Sequence, residues 1–232
     1  MRVKSSLLLA ALLSLGLSQA TLAETGPATI TVTGTGTVQV VPDLATISLG
    51  VTTNGDTAAA AMAANSAALQ AVMDRLKAAG IEDRAMQTSN LSLYPNWVSN
   101  SSGTSQEIKG YVASNMLTVQ IKAIDTTGAV LDAAIADGAN TLNSLTFGLQ
   151  NPRPKEDEAR QAAVGDALSR AKLLTAAAGV TLGAIQSISE GGDYGQPPQP
   201  MYRMADQEAS VPVASGEVGV SATVTIVWAL QP

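Results

Sequence analysis

The stretch from Thr29 to Val51 constrains this chain more than any other. From Thr29 to Val40 the residues alternate: Ile30, Val32, Val38 and Val40 share one face, and Thr29, Thr31, Thr33, Thr35, Thr37 and Gln39 share the other. A period of two with one apolar face is the pattern of a half-buried strand. Gly34 and Gly36 fall on the apolar face, where a missing side chain marks a bulge or the close approach of another element. Pro42-Asp43 interrupts the ladder, and Ala45, Ile47, Leu49 and Val51 begin a second alternation. The expectation is a hairpin-like strand pair opening into a sheet.

Residues 57–79 read as an alanine-rich helix capped by Asp56, with Met62, Leu69, Val72, Met73 and Leu76 as its larger apolar stripe and Gly80 as its stop. An extended segment, Gln87 to Tyr94, is followed by an expected mobile loop near 97–106 and a long strand from Ile108 to Ile124. Asp125 is read as the cap of a short helix holding Val130, Leu131, Ala134 and Ile135 and ending around Gly138; Leu142 to Leu149 is a strand. A second long helix runs to Ala178 behind Glu156, Asp157 and Glu158, acids suited to a helix N-terminus. Its stripe of Ala159, Ala163, Ala167, Ala171 and Leu174 is mostly small, which lets a helix lie close to a sheet. Strands Thr181 to Glu190 and Glu217 to Leu230 flank a second expected mobile loop, 191–213. The order strand, helix, strand, long strand occurs twice, beginning at Leu44 and at Leu142. It reads as a duplicated βαββ unit, the alternative being coincidence within common α+β grammar. The expected fold class is α+β, an open sheet packed against alanine-rich helices. Residues 28–230 are read as one domain because both halves need the same sheet.

Composition bears on compartment and chemistry. Arg2 and Lys4 precede the apolar run Leu7 to Leu17, and small residues follow, which is the layout of a secretory signal peptide over residues 1–23. The run is too short for a bilayer, which needs ~20 residues. Cleavage is expected after Ala23, with Ala20 as the alternative, and the expected location is the periplasm with no membrane span in the mature chain. Removing Arg2 and Lys4 from 13 basic groups leaves 11 against 19 acidic, a net charge of −8. No later stretch clusters Lys and Arg, so nucleic acid is not an expected partner. The chain has no cysteine and no histidine. That excludes thiol mechanisms, Ser-His-Asp arrangements and histidine-based metal sites. The expectation is no enzyme, no cofactor and no metal.

Motifs with catalytic associations fail their context. Ser169-Arg170-Ala171-Lys172 has S-x-x-K spacing but lies in mid-helix without partner motifs. Gly34-Thr35-Gly36 lacks a third glycine and precedes a strand, not a helix. Glu82-Asp83 and Glu156-Asp157-Glu158 offer oxygen ligands without EF-hand spacing, and read better as a solvated turn and helix-dipole partners. Met201 and Met204 are soft donors for Cu(I), but two sulfurs without His or Cys make a thin site beside the reading of a disordered loop. Two aromatic segments are candidate contact surfaces: Tyr94, Pro95 and Trp97 in one loop, and Tyr194, Pro197, Pro198 and Tyr202 in the other. Plain flexible loops are the alternative.

Several segments, in order and spacing, carry a resemblance. They are Val32-Thr33-Gly34-Thr35-Gly36 with Pro42-Asp43-Leu44-Ala45; Leu76-Lys77-Ala78-Ala79-Gly80-Ile81 with Gln87-Thr88; and Gly110-Tyr111-Val112-Ala113-Ser114. Further along come Gly138-Ala139-Asn140, Phe147, Glu158-Ala159-Arg160, Ala163-Val164 with Asp166-Ala167, and Ile188-Ser189-Glu190. Together they resemble the SIMPL-domain family of bacterial envelope proteins, whose members include periplasmic immunogenic proteins and proteins labelled oxidative-stress defence. Ala85 departs from relatives that carry an acid near that position. The resemblance implies an α+β fold, a periplasmic address and a loose link to stress, and brings no catalytic set. The functional expectation is a non-catalytic envelope protein acting by self-assembly or partner binding; the alternative is a carboxylate-based hydrolase or small-ligand binder. Long strands with few charges leave edges to be satisfied, so a homo-oligomer is expected.

Overall fold

The computed structural model describes residues 28–99, 106–191 and 213–231. Its elements are β1 (Thr29–Val40), β2 (Leu44–Gly55), α1 (Ala58–Ala78), β3 (Met86–Ser99), β4 (Gln106–Ile121), α2 (Thr127–Ala136), β5 (Thr141–Gly148), α3 (Arg153–Ala178), β6 (Thr181–Glu190) and β7 (Val218–Gln231). The fold is α+β, as the periodicities require. The strands form two antiparallel sheets rather than one, a three-stranded sheet in the order β1-β7-β6 and a four-stranded sheet in the order β3-β4-β2-β5.

The expected hairpin of β1 and β2 does not form. β1 pairs with β7 along its whole length, while β2 lies between β4 and β5. Val41-Pro42-Asp43 carries the chain from one sheet to the other. Pro42 is buried and has no N–H to offer a ladder, and the Asp43 amide donates to the Gly148 carbonyl at 3.0 Å. The repeated order is present as β2-α1-β3-β4 and β5-α3-β6-β7, but the pairing departs from a plain duplication. β4 is flanked by β3 and β2, whereas β7 is flanked by β6 and β1; β5 has moved beside β2.

Each sheet has its own core. In the four-stranded sheet Ala45, Ile47, Leu49 and Val51 of β2 and Leu117, Val119 and Ile121 of β4 meet Leu69, Val72 and Leu76 of α1, with Val130, Leu131 and Ala134 of α2 alongside. Burying each of the Val, Leu and Ile side chains among these contributes ~1.5–3 kcal/mol. The buried stripe of α1 begins with Ala61 and Asn65; Met62 and Met73 are only partly covered. Asn65 is fully buried and its amide donates to the Val51 and Ala113 carbonyls at 2.8 and 3.1 Å. The cap of α1 is Thr57, one residue later than expected, whose hydroxyl accepts from the Ala60 amide. Asp125 lies inside a short 3-10 turn, Ile124–Thr126, and not at the cap of α2; Ile135 is exposed.

The second core is thinner. Val32, Val224, Ile226 and Trp228 lie under Ala163, Ala167 and Ala171 of α3. Gly34 and Gly36 make this possible: a Cβ at Gly34 would stand 2.2 Å from the Ala163 carbonyl oxygen, and one at Gly36 2.2 Å from that of Ala159. The close-approach reading of the Gly-x-Gly pair is the correct one. The fifth buried residue of the α3 stripe is Thr175, since the i+4 series continues to 175, and Leu174 is exposed. Gly80, Gly138 and Gly179 stop the three helices at φ of +88°, +112° and +71°.

Candidate functional site: a two-stranded aromatic ribbon

β3 and β4 pair from Met86 opposite Val119 to Ser99 opposite Gln106. β2 accompanies β4 only as far as Tyr111, opposite Gly55. Beyond that point, among the described residues, two strands continue without a third neighbour on β4. Two irregularities shape the β3/β4 pairing as a whole. The first, between Ser89 and Ser92, contains Asn90 at a φ of +53°. The second, between Pro95 and Trp97, lies opposite Gly110, whose φ of +141° favours glycine and whose Cβ would stand 2.8 Å from the Gly55 carbonyl oxygen.

The structure therefore places Tyr94, Pro95 and Trp97 in a strand, not in the loop expected from Pro-Asn; residues 97–99 and 106 of that expected loop are also strand. Pairing with β4 outweighs the local turn preference of Pro95-Asn96. Tyr194, Pro197 and Tyr202 of the second segment lie outside the described residues, as do Met201 and Met204. Trp97 stands opposite Ile108, Pro95 opposite Tyr111 and Tyr94 opposite Val112. Tyr94 is 65% exposed and Trp97 53%; Leu91, Leu93, Val98 and Ile108 are exposed with them. The two-stranded end beyond Tyr111 carries Trp97, Val98 and Ile108; such a strand pair is marginal in water by itself, and exposed apolar patches of this kind are a feature of interaction surfaces. Val98 and Ile108 escaped the sequence reading. Apolar residues on both sides of the Ser/Asn/Gly run were the available hairpin signal.

The other candidates do not assemble. Ser169 and Lys172 are exposed on α3. Glu82 pairs with Arg84 and Lys122, and Asp83 with Lys77. The hydrogen bond from Arg84, followed by its charge, holds the Glu82 carboxyl below the ordinary glutamate range. Asp83 raises Lys77 in the same way. On α3, Glu156 and Asp157 pair with Arg160, and Glu158 with Lys155. Arg160 also donates to Glu190 of β6 at 2.6 Å. Among the described residues the buried polar side chains are Asn65, Asn115, Thr127 and Thr175, so no acid-base pair is sequestered there. A small apolar recess of about 190 Å³ between α2 and β5 contains Asn140, but that amide is engaged with Thr52.

Fold and site define a class: an α+β protein with two helix-backed antiparallel sheets and an exposed aromatic ribbon. A family model described as SIMPL, protein of unknown function (DUF541), matches residues 30–228, and the chain belongs to that family. It is similar to the 26 kDa periplasmic immunogenic protein of Brucella melitensis, 36% identical over 219 residues that cover 89% of this chain and 86% of that one. The same named protein of Brucella abortus matches to the same extent. The uncharacterized protein YggE of Escherichia coli is 29% identical over 213 residues, covering 89% of this chain and 85% of its own.

Proposed function

We propose that this is an exported periplasmic protein that acts without catalysis, by self-assembly or by binding a partner through the β3/β4 ribbon. The observation that carries the reading is the pair Tyr94 and Trp97, largely exposed on the edge strand β3, with Trp97 where, among the described residues, β3 and β4 run on beyond the end of β2. Aromatic anchors of this kind dominate interface energetics. The names of the Brucella relatives support the periplasmic address. A second copy of the chain is the partner put forward, with the segment around Tyr194, Pro197 and Tyr202 as a further contact. Any part in stress defence is then indirect, through the envelope: the chain has neither cysteine nor histidine, which leaves methionine oxidation as the side-chain redox route its composition offers.

Light scattering on the mature protein tests this. A multiple of the chain mass is expected, falling towards a single chain in a Tyr94→Ser, Trp97→Ser variant whose circular dichroism is unchanged. Deleting Gln196 to Met204 is expected to weaken the assembly. A single-chain mass for the wild type, unchanged on concentration, refutes self-assembly.

A further inference from the structure

Among the described residues four strands lie at sheet edges: β1 and β6 in one sheet, β3 and β5 in the other. Edge strands expose unpaired N–H and C=O groups and so invite a strand from another chain. Three of the four are irregular. The β3 pairing shifts twice and the strand contains Pro95; the β5 pairing shifts once; the β6 pairing shifts twice. β1 alone keeps its register through 12 consecutive pairs, and it carries no charged residue and no proline. By these criteria it is the edge best suited to accept a strand.

Its middle is closed by side chains of α3. The Thr35 amide donates to Asp166 Oδ2 at 3.0 Å, and Arg170 Nη1 donates to the Thr33 carbonyl at 2.8 Å. Asp166 and Arg170 stand one helical turn apart and pair with each other at 3.6 Å. Along an antiparallel edge, alternate residues turn both backbone groups outward, and Thr33 and Thr35 are such residues on β1. A carboxylate accepting from one N–H and a guanidinium donating to the neighbouring C=O reproduce what an added strand would offer. The same device recurs at β2: beyond the last pair with β5, Gly50 opposite Thr141, the Asn140 amide accepts from the Thr52 N–H and donates to the Thr52 C=O, both at 2.8 Å.

We infer that Asp166 and Arg170 guard the β1 edge, standing in for a neighbouring strand at Thr33 and Thr35 and excluding an extended strand of a second copy of the chain. This goes beyond the proposed ribbon contact, because it names the edge at which copies are kept from joining. It also gives a physical role to Val32-Thr33-Gly34-Thr35-Gly36 and Asp166-Ala167, which meet here.

Two measurements on the mature full chain test the guard. The first is amide exchange. The Thr35 amide is expected to exchange roughly tenfold faster in Asp166→Ala than in the wild type, the loss of one charge-assisted hydrogen bond, while the inward-facing Gly34 amide is unchanged. Asp166→Asn keeps an acceptor oxygen and restores most of the protection. Equal exchange at Thr35 in wild type and Asp166→Ala overturns the inference. The second is association. Asp166→Ala, Arg170→Ala is expected to form larger species than the wild type at the same concentration. Adding Thr35→Pro, which removes the outward N–H without breaking a β7 pair, is expected to abolish the gain. No gain, or a gain that Thr35→Pro leaves in place, overturns the assignment to β1. Loss of Trp97 weakens the ribbon contact but leaves both results standing, so failure of the ribbon proposal is distinguishable.

Discussion

Replacing Gly34 by alanine tests the central packing argument. Alanine is ordinarily favoured over glycine inside a strand by ~0.5–1 kcal/mol, because glycine loses more backbone freedom on folding. Here the added Cβ meets backbone on α3, the Ala163 carbonyl oxygen at 2.2 Å and the Ala167 amide nitrogen at 2.4 Å. Neither can rotate away as a side-chain tip would. The helix must rise by about 1 Å to restore ordinary contact, and a gap of that size forfeits a quarter to a half of each dispersion well it opens. Overpacking of this kind costs ~1–3 kcal/mol and occasionally more. The core under α3 is thin: Val32, Val224, Ile226 and Trp228 are its large buried members, with Ile30 and Leu182 partly buried beside them. The expected net loss is about 2 kcal/mol, lowering Tm by roughly 4–8 °C at ~2–4 °C per kcal/mol for a chain of this size. Urea titration followed by circular dichroism is the assay, read as the midpoint at constant slope. Gly165 supplies the control: it lies on the exposed side of α3 with nothing within 4 Å of a built Cβ, and Gly165→Ala is expected to stabilise by about 1 kcal/mol. If Gly34→Ala is as stable as the wild type while Gly165→Ala gains, the close approach of helix to strand is refuted.

Asn65→Ala leaves the Val51 and Ala113 carbonyls buried without their side-chain donor, and a loss of about 2–3 kcal/mol in urea is expected; Asn65→Leu should not restore it, and a neutral result would show the two hydrogen bonds to be dispensable. Glu82 titrates below the ordinary 4.5, chiefly through its hydrogen bond from Arg84. Its contribution to stability is therefore present above the unfolded-state value and lost as pH falls through the lowered folded value; a carboxyl titration by NMR with a midpoint at or above the ordinary value contradicts this. Export predicts Glu24 as the N-terminus of the mature protein by mass spectrometry, and a chain retaining Met1 in a membrane fraction contradicts it.

The parts legible in the sequence are those set by local physics. Strands β1, β2, β4 and β7 were readable because alternation by twos is a property of a single strand. The glycine stops at 80, 138 and 179 were readable because a left-handed residue after a helix is costly for anything with a Cβ. The Gly-x-Gly pair announced a close approach, and the alanine series on α3 announced the element that makes it. Of the candidate site, Tyr94, Pro95 and Trp97 were named from composition, but as a loop.

What only the tertiary structure decided is who neighbours whom. Backbone N–H and C=O groups are the same in every strand, so nothing local told β1 to pair with β7 or β2 to lie between β4 and β5. The Pro42-Asp43 break looks the same in sequence whether the chain folds back on itself or crosses to a second sheet. Long-range pairing likewise turned Pro95-Asn96 into strand, because β4 pairs with Pro95 and Trp97 on either side of the Gly110 irregularity. The Asp166 and Arg170 contacts at β1 follow the same logic: the i,i+4 spacing is visible in the sequence, but the backbone groups it closes lie more than 130 positions away. Periodicity is written residue by residue; partnership depends on which exposed backbone edge the folded chain brings within 3 Å.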